Sequence, residues 1–206
     1  MADNIKQSWI AAWQDKGFKK KLFIGLILTI TVLVAFPIFF HFIENRDGYS
    51  INDPILKALP ATDLSIPTFT CIWLVGALML IRSIQSPALF LQFIWAFFFL
   101  CIFRIITIGT VALNPPAHLI PLMDPLSNKF YGGTYVTKDL FFSGHTSTQF
   151  LMFLLFTRKS DKTIALLSSI VVGIMVLIQH VHYTVDVLAA FPFTYIVYWL
   201  SRKVTN

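Results

Sequence analysis

Charge and cysteine are what this chain has least of. Only 13% of its 206 residues are Asp, Glu, Lys or Arg, and 10 residues in all are acidic. A soluble domain carries about 25% charged residues, so a molecule wetted over its whole surface is excluded. The two cysteines, Cys71 and Cys101, both lie inside apolar segments, which excludes a disulfide framework. No metal-binding motif, internal repeat or low-complexity tract is present. The net charge of +6 comes from short basic clusters between apolar runs. Without a basic stripe interleaved with aromatics, nothing points to a nucleic-acid partner.

What the chain does have is apolar length. Its hydrophobic fraction of 56%, 21 phenylalanines and mean hydropathy of +0.72 describe a polytopic, all-α integral membrane protein forming a single domain over 1–206. Six apolar stretches run roughly over 22–43, 66–84, 88–113, 143–157, 163–180 and 183–200. Most approach the ~20 residues that carry a helix across a bilayer. The fourth is short, and is either extended by a turn or tucked against its neighbours. The first has a basic flank, and its far end, Phe39-Phe40-His41-Phe42, is not a small-residue cleavage site, so it reads as a retained anchor.

The positive-inside rule sets the expected orientation. A cytoplasmic N-terminus gives that side Lys6, Lys16, Lys19, Lys20, Lys21, Arg82, Arg158, Lys159, Lys162, Arg202 and Lys203. The opposite side receives Arg46, Lys57, Lys129 and Lys138, with Arg104 left inside a span. Six spans then return the C-terminus to the cytoplasm. Ser143-Gly144-His145-Thr146 opens the fourth span and His182-Tyr183-Thr184-Val185-Asp186 opens the sixth. Both therefore fall on the extracytoplasmic face, beside Asp139 and the 114–142 connection.

Two imidazoles and a carboxylate on one face can move a phosphoryl group through a covalent histidine intermediate. On a helix, His182 and Asp186 lie one turn apart on one side. The carboxylate can then hold one ring nitrogen and leave the other nucleophilic. Taken alone, such a pair is more often a helix cap. Ser143 is a good N-cap and Gly144 lets a ligand approach the backbone. Two helix N-termini would offer free N–H groups and positive dipole ends to an anion. His145 could protonate the leaving oxygen while His182 attacks phosphorus in line.

Arg104 interrupts the run Ala96-Phe97-Phe98-Phe99-Leu100-Cys101-Ile102-Phe103, at a cost of ~2.5–3.5 kcal/mol on insertion scales. It sits roughly 14 Å below the outer end of a helix that runs to Leu113. A phosphate contact and a structural pairing with Thr107 or a backbone carbonyl weigh equally here. The 114–142 connection is longer than most loops, and is either a lid or a tether. His41 and His118 read as interfacial. His180 is either second to the site or interfacial as well.

These residues resemble the type 2 phosphatidic acid phosphatase superfamily, and within it the sphingomyelin synthase-related branch. Asp139-x3-Ser143-Gly144-His145-Thr146 is similar to that branch's Asp-x3-Ser-Gly-His-Thr motif. His180-x-His182-Tyr183-Thr184-Val185-Asp186-Val187 resembles its His-x-His-Tyr-Thr-(Val/Ile)-Asp-Val motif. Arg104-x2-Thr107 with Leu113 and Pro116 is a weaker likeness to an Arg, Thr and Leu-Pro-x-Pro segment. Thr137-Lys138 stands where the branch usually has Cys-Gly, and Asn114 where it has a proline.

The resemblance implies a six-helix bundle with cytoplasmic termini and a lipid phosphotransferase on the extracytoplasmic leaflet. In it His182 would be the nucleophile, Asp186 its orienter and His145 the second catalytic histidine. Arg104, Asp139, Ser143, Gly144, Thr146, Tyr183 and His180 would surround the substrate phosphate. No cofactor is expected. Membrane lipids are the expected partners, with a phospholipid donor and ceramide, diacylglycerol or water as acceptor. In a bacterium the protein would lie in the inner membrane. The superfamily's phosphatases are similar to one another in a Lys-x6-Arg-Pro segment and in an Arg six residues before the nucleophile. Here that segment is absent and the position is Val176. Fewer cations suit a phosphodiester, which carries one charge where a monoester carries nearly two. A phosphocholine or phosphoethanolamine donor follows, and Tyr131 and Tyr135 could hold a quaternary ammonium by cation–π contact. The alternatives are a lipid phosphate phosphatase or a phospholipase C-like hydrolase and, more distantly, a transporter or a silent scaffold.

Overall fold

A computed structural model describes residues 2–123 and 136–206. Eight helices follow in order: α1 Ala2–Gln14, α2 Lys16–Glu44, α3 Pro54–Ala58, α4 Ser65–Gln85, α5 Pro87–Thr110, α6 Gly144–Leu155, α7 Lys159–Ile178 and α8 Thr184–Thr205. Five of them (α2, α4, α5, α7 and α8) are long and apolar enough to cross a membrane, as in an integral multi-pass protein.

The expected fourth span is shorter than drawn. α6 has 12 residues, about 18 Å of helix. Serine 143 caps its start, and its last turn closes with Phe156 N–H donating to Met152 O at 2.9 Å. It is tucked between α7 and α8, with Thr146, Ser147, Gln149 and Leu151 wholly buried. A helix enclosed by protein need not match the bilayer.

Local sequence explains most other boundaries. Asp15 accepts the Gly17 N–H at 2.7 Å and so starts α2, separating it from α1. Ser86 caps α5 with Pro87 in its first turn, where a missing N–H costs nothing. α5 stops at Thr110, three residues short of the expected end. Leu113 instead joins a parallel bridge with Tyr49, whose N–H donates to Ala112 O at 2.9 Å and whose carbonyl accepts from Asn114 N at 3.0 Å. The strip leaves no room for a side chain at Gly48, where a Cβ would lie 2.6 Å from the Leu113 carbonyl carbon.

α5 packs on α2, α4, α6 and α8. One dry core joins Val75, Met79, Leu100, Leu151, Leu155 and Val197. A second joins Val32, Phe36, Phe40 and Ile43 of α2 to Cys101 and Ile108 of α5. Both termini meet at one end of the bundle, where Lys21 Nζ donates to Thr205 O at 3.2 Å and Trp9 Nε1 to Ile84 O at 2.8 Å. The starts of α6 and α8 meet at the other end, where Ser143 N–H donates to Asp186 O at 3.0 Å.

Candidate active site

The turn between α7 and α8 delivers one histidine. His180 N–H donates to Leu177 O and Val181 N–H to Val176 O, both at 2.9 Å, and His180 adopts φ 56°. Glycine is the usual residue at such a reversal. Here the ring offsets the strain, with Nδ1 2.8 Å from Ala117 O and Nε2 3.1 Å from Leu59 O. His180 is buried between two loops and does not line the cavity described below.

Two residues on, His182 is 1% exposed and Asp186 is fully buried. Nδ1 of His182 lies 3.4 Å from Oδ2 of Asp186, which also accepts the Tyr183 N–H at 3.0 Å. The carboxylate thus caps α8 and faces the imidazole at once, so Nε2 is the ring nitrogen left for chemistry. His145, in the first turn of α6, sits with its ring centroid 6.3 Å from that of His182 and 6.1 Å from that of Phe69.

Arg104 lies about 9 Å below the end of α5, nearer than the 14 Å expected, because the helix stops at Thr110. Its guanidinium is ion-paired to Asp139, and its Nε lies 3.4 Å from Phe142 O. It passes directly over the start of α6. A Cβ at Gly144 would lie 2.5 Å from the guanidinium carbon and 2.8 Å from Nη2, so glycine is required there by close approach. Thr107 donates to Phe141 O at 2.9 Å and to the carbonyl of Arg104 at 3.3 Å, so the guanidinium itself meets a backbone carbonyl, Phe142 O, and not the Thr107 side chain.

Arg104, Asp139, Gly144, His145 and His182 line one cavity of about 440 Å³. Thr137 and Thr148 line it too, though nothing marked them in the sequence. Its other wall is apolar: Phe36 and Phe40 of α2, Phe69 and Trp73 of α4, and Phe97 and Leu100 of α5. The arrangement can therefore hold a charged group at the histidines and apolar chains beside it.

Ser143, Thr146 and Tyr183 stand behind the lining. Ser143 Oγ accepts the Thr146 N–H at 3.4 Å and lies 3.1 Å from Thr146 Oγ1. Tyr183 donates its hydroxyl to Asn114 O at 3.1 Å and accepts the Ile51 N–H at 3.3 Å. Ser143 and Tyr183 hold backbone, Thr146 Oγ1 rests against Ser143 Oγ, and none of the three is among the residues that line the cavity. Tyr131 and Tyr135 lie outside the described residues, as does the 124–135 part of the segment read as a lid or tether.

The largest surprise comes from the 45–64 segment. Asp53 Oδ1 caps α3 by accepting from Ile55 and Leu56 N–H at 3.0 and 3.3 Å. Its Oδ2 accepts the Thr184 N–H at 2.7 Å, and Oδ1 the Thr184 hydroxyl at 3.1 Å. One carboxylate therefore caps two helices, one of which carries Asp186 and begins two residues after His182. Burial pushes its acidity toward the neutral form. The hydrogen bonds from Thr184, Leu56 and Ile55 outweigh that and hold it below the ordinary carboxylate range. Among the described residues, no group of three or more His, Cys, Asp or Glu side chains is placed to hold a metal ion.

The family model described as PAP2 superfamily C-terminal matches residues 138–203, a stretch that contains Asp139, both site histidines and Asp186. No curated protein and no solved structure matches the chain. The matched stretch supports membership of the PAP2 superfamily and is consistent with an enzyme of the phosphatase or phosphotransferase type.

Proposed function

We propose that the chain is a lipid phosphotransferase that moves a phospho-headgroup between membrane lipids on the extracytoplasmic leaflet. His182 Nε2 attacks the donor phosphorus, and the bond from phosphorus to the diacylglycerol oxygen breaks. His145 gives that oxygen its proton. The headgroup phosphate, now bonded to His182, passes to the hydroxyl of an acceptor such as ceramide or diacylglycerol, whose proton goes to His145. Asp186 orients His182 and stabilises its charge. Arg104 and the α6 start balance the phosphate.

One observation carries this reading: a His182–Asp186 pair and a second histidine meet in a single cavity whose opposite wall is apolar. Arg104 is the only lysine or arginine among the described lining residues, which supports a singly charged phosphodiester donor of phosphocholine or phosphoethanolamine type. Basic residues gathered at the end of the bundle away from the site support a cytoplasmic location for both termini.

The test uses purified protein in bilayers with headgroup-labelled phosphatidylcholine, phosphatidylethanolamine or phosphatidic acid, with and without ceramide or diacylglycerol. Label should move from a diester donor to an acceptor lipid in the wild type and not in His182→Ala. Free phosphate released from phosphatidic acid alone would make the enzyme a phosphatase instead. Release of phosphocholine or phosphoethanolamine with no acceptor lipid present would make it a phospholipase C-like hydrolase.

A further inference from the structure

Asp139 is an unusual residue to find beside a phosphate site. Its side chain is 22% exposed, against 12% for its partner Arg104, and it lines the cavity. It is also held there from outside α5. Glu44, the last residue of α2, accepts from the N–H groups of Thr137 and Lys138 at 2.5 and 2.7 Å and from the Thr137 hydroxyl at 2.9 Å. Lys138, next to Asp139, turns its ammonium away to Arg46 O. The segment before Asp139 is thus anchored on α2, and the carboxylate is presented to the cavity while the neighbouring cation is withdrawn.

Orienting Arg104 does not require a full negative charge. Phe142 O already lies within reach of its Nε, and a neutral acceptor at position 139 could meet the other end. What a carboxylate adds is charge. Arg104 and Asp139 are the only Asp, Glu, Lys or Arg side chains among the described lining residues. Their charges cancel, and Asp186 adds a further negative charge behind His182. A phosphodiester brings one negative charge to this site. A phosphomonoester brings nearly two at neutral pH, and the second meets Asp139 with no further lysine or arginine among the described lining residues to balance it.

We propose that Asp139 is a specificity-determining residue that sets the charge of the phosphate group this cavity accepts, admitting singly charged phosphodiesters and excluding doubly charged phosphomonoesters. This rests on the lipid-phosphate reading of the cavity given above. It assigns the discrimination to a carboxylate that is present, beyond the cations that are absent.

The test is equilibrium binding to full-length protein in the His182→Ala background, so that no ligand is consumed. The ligands are short-chain phosphatidylcholine, phosphatidylmethanol and phosphatidic acid at pH 8. Phosphatidylmethanol is a diester without an ammonium, so it separates phosphate charge from headgroup charge. With Asp139 in place, both diesters should bind more tightly than phosphatidic acid. Asp139→Asn should improve phosphatidic acid relative to phosphatidylmethanol by about tenfold or more, the scale of one unit charge a few ångströms away. Asp139→Glu should keep the original ratio, and Asp139→Ser serves as a second neutral variant should the first misfold. An unchanged ratio in the neutral variants, or an equal change in Asp139→Glu, would leave Asp139 as a positioner of Arg104 and overturn the proposal. A change confined to phosphatidylcholine would also overturn it, since the carboxylate would then be reading the ammonium. The transferase reading fails separately, if wild type transfers no label between lipids while this binding ratio still shifts.

Discussion

Two Arg–Asp pairs sit near opposite ends of this bundle, and they do different things. At the end holding both termini, Arg82 of α4 donates to both carboxylate oxygens of Asp161 in α7, at 2.7 and 3.2 Å, and to Gln85 at 3.0 Å. Asp161 is almost wholly buried, and neither residue lines the cavity. The pair is saturated and joins two helices. At the other end, Arg104 meets Asp139 through one nitrogen, keeps that carboxylate partly open to the cavity, and lies against the helix start that carries His145. Bidentate geometry fixes a pair, whereas a singly bonded one leaves donors and acceptors for a ligand. Geometry thus separates a saturated pair from one left open to a cavity, where composition cannot.

The sharpest way to test that contrast is to strike the chemistry itself. His182→Ala should reduce turnover to background, a loss of about 10⁴-fold or more if the nucleophile behaves as in other covalent enzymes. Arg82→Ala should leave turnover per folded molecule unchanged and lower the unfolding temperature. Steady-state rates and thermal melts on the same preparations read both. A comparable loss of turnover in Arg82→Ala would erase the distinction between the two ends.

The pairs can also be compared by conservative exchange. Arg104→Lys keeps a charge but loses the planar guanidinium that spans Asp139 and Phe142 O. Losing one preorganised donor to a transition state costs about 10²–10³-fold, so kcat should fall by that order. Arg82→Lys should do nothing to kcat. A smaller effect comes from Gly144→Ala, which forces the guanidinium to shift because a Cβ there overlaps it. A displacement on the order of 1 Å near a reacting centre can cost about 10²-fold. That loss should appear without a change in helix content by circular dichroism.

The residues of the site divide by how they act. His145, His182 and Asp186 are legible because the pair sits four residues apart and each motif opens an apolar run. Arg104 is legible because a charge in an apolar run needs a partner. Ser143, Thr146, Tyr183 and His180 share the motifs, but motif membership does not say which way a side chain faces. Ser143, Tyr183 and His180 hold backbone, and Thr146 meets the Ser143 hydroxyl. Glu44 left no local signal, and Asp53 showed no more than a cap for the short α3, because the contacts that tie them to the site lie about 90 or more residues away in sequence. α1 was missed for a related reason. At 13 residues it is too short to read as a span, and Trp9 packs on Phe18 and Phe90 only once the bundle has formed. The length of α6 depended on how far α7 and α8 enclose it, which hydropathy does not report.

Asp53 extends the contrast to a carboxylate with no cation at all. It is held by N–H and hydroxyl donors alone, caps α3 and α8 together, and its acidity is strengthened as a result. A group whose folded value lies below its unfolded one stabilises the fold fully above the unfolded value, and that stabilisation fades as pH falls through the folded value. Asp53→Asn should therefore lower the unfolding temperature at pH 7, and the gap to wild type should narrow as pH drops below about 4. Asp53→Ala should cost about 1 kcal/mol, as for other helix caps. Because Asp53 bonds Thr184 rather than the histidines, kcat should change far less than in Arg104→Lys. Melting curves of wild type and Asp53→Asn between pH 3 and 7 decide the matter. A gap that stays constant across that range would mean that the cap works by geometry alone, and that the carboxylate's charge, decisive at Asp139, is incidental here.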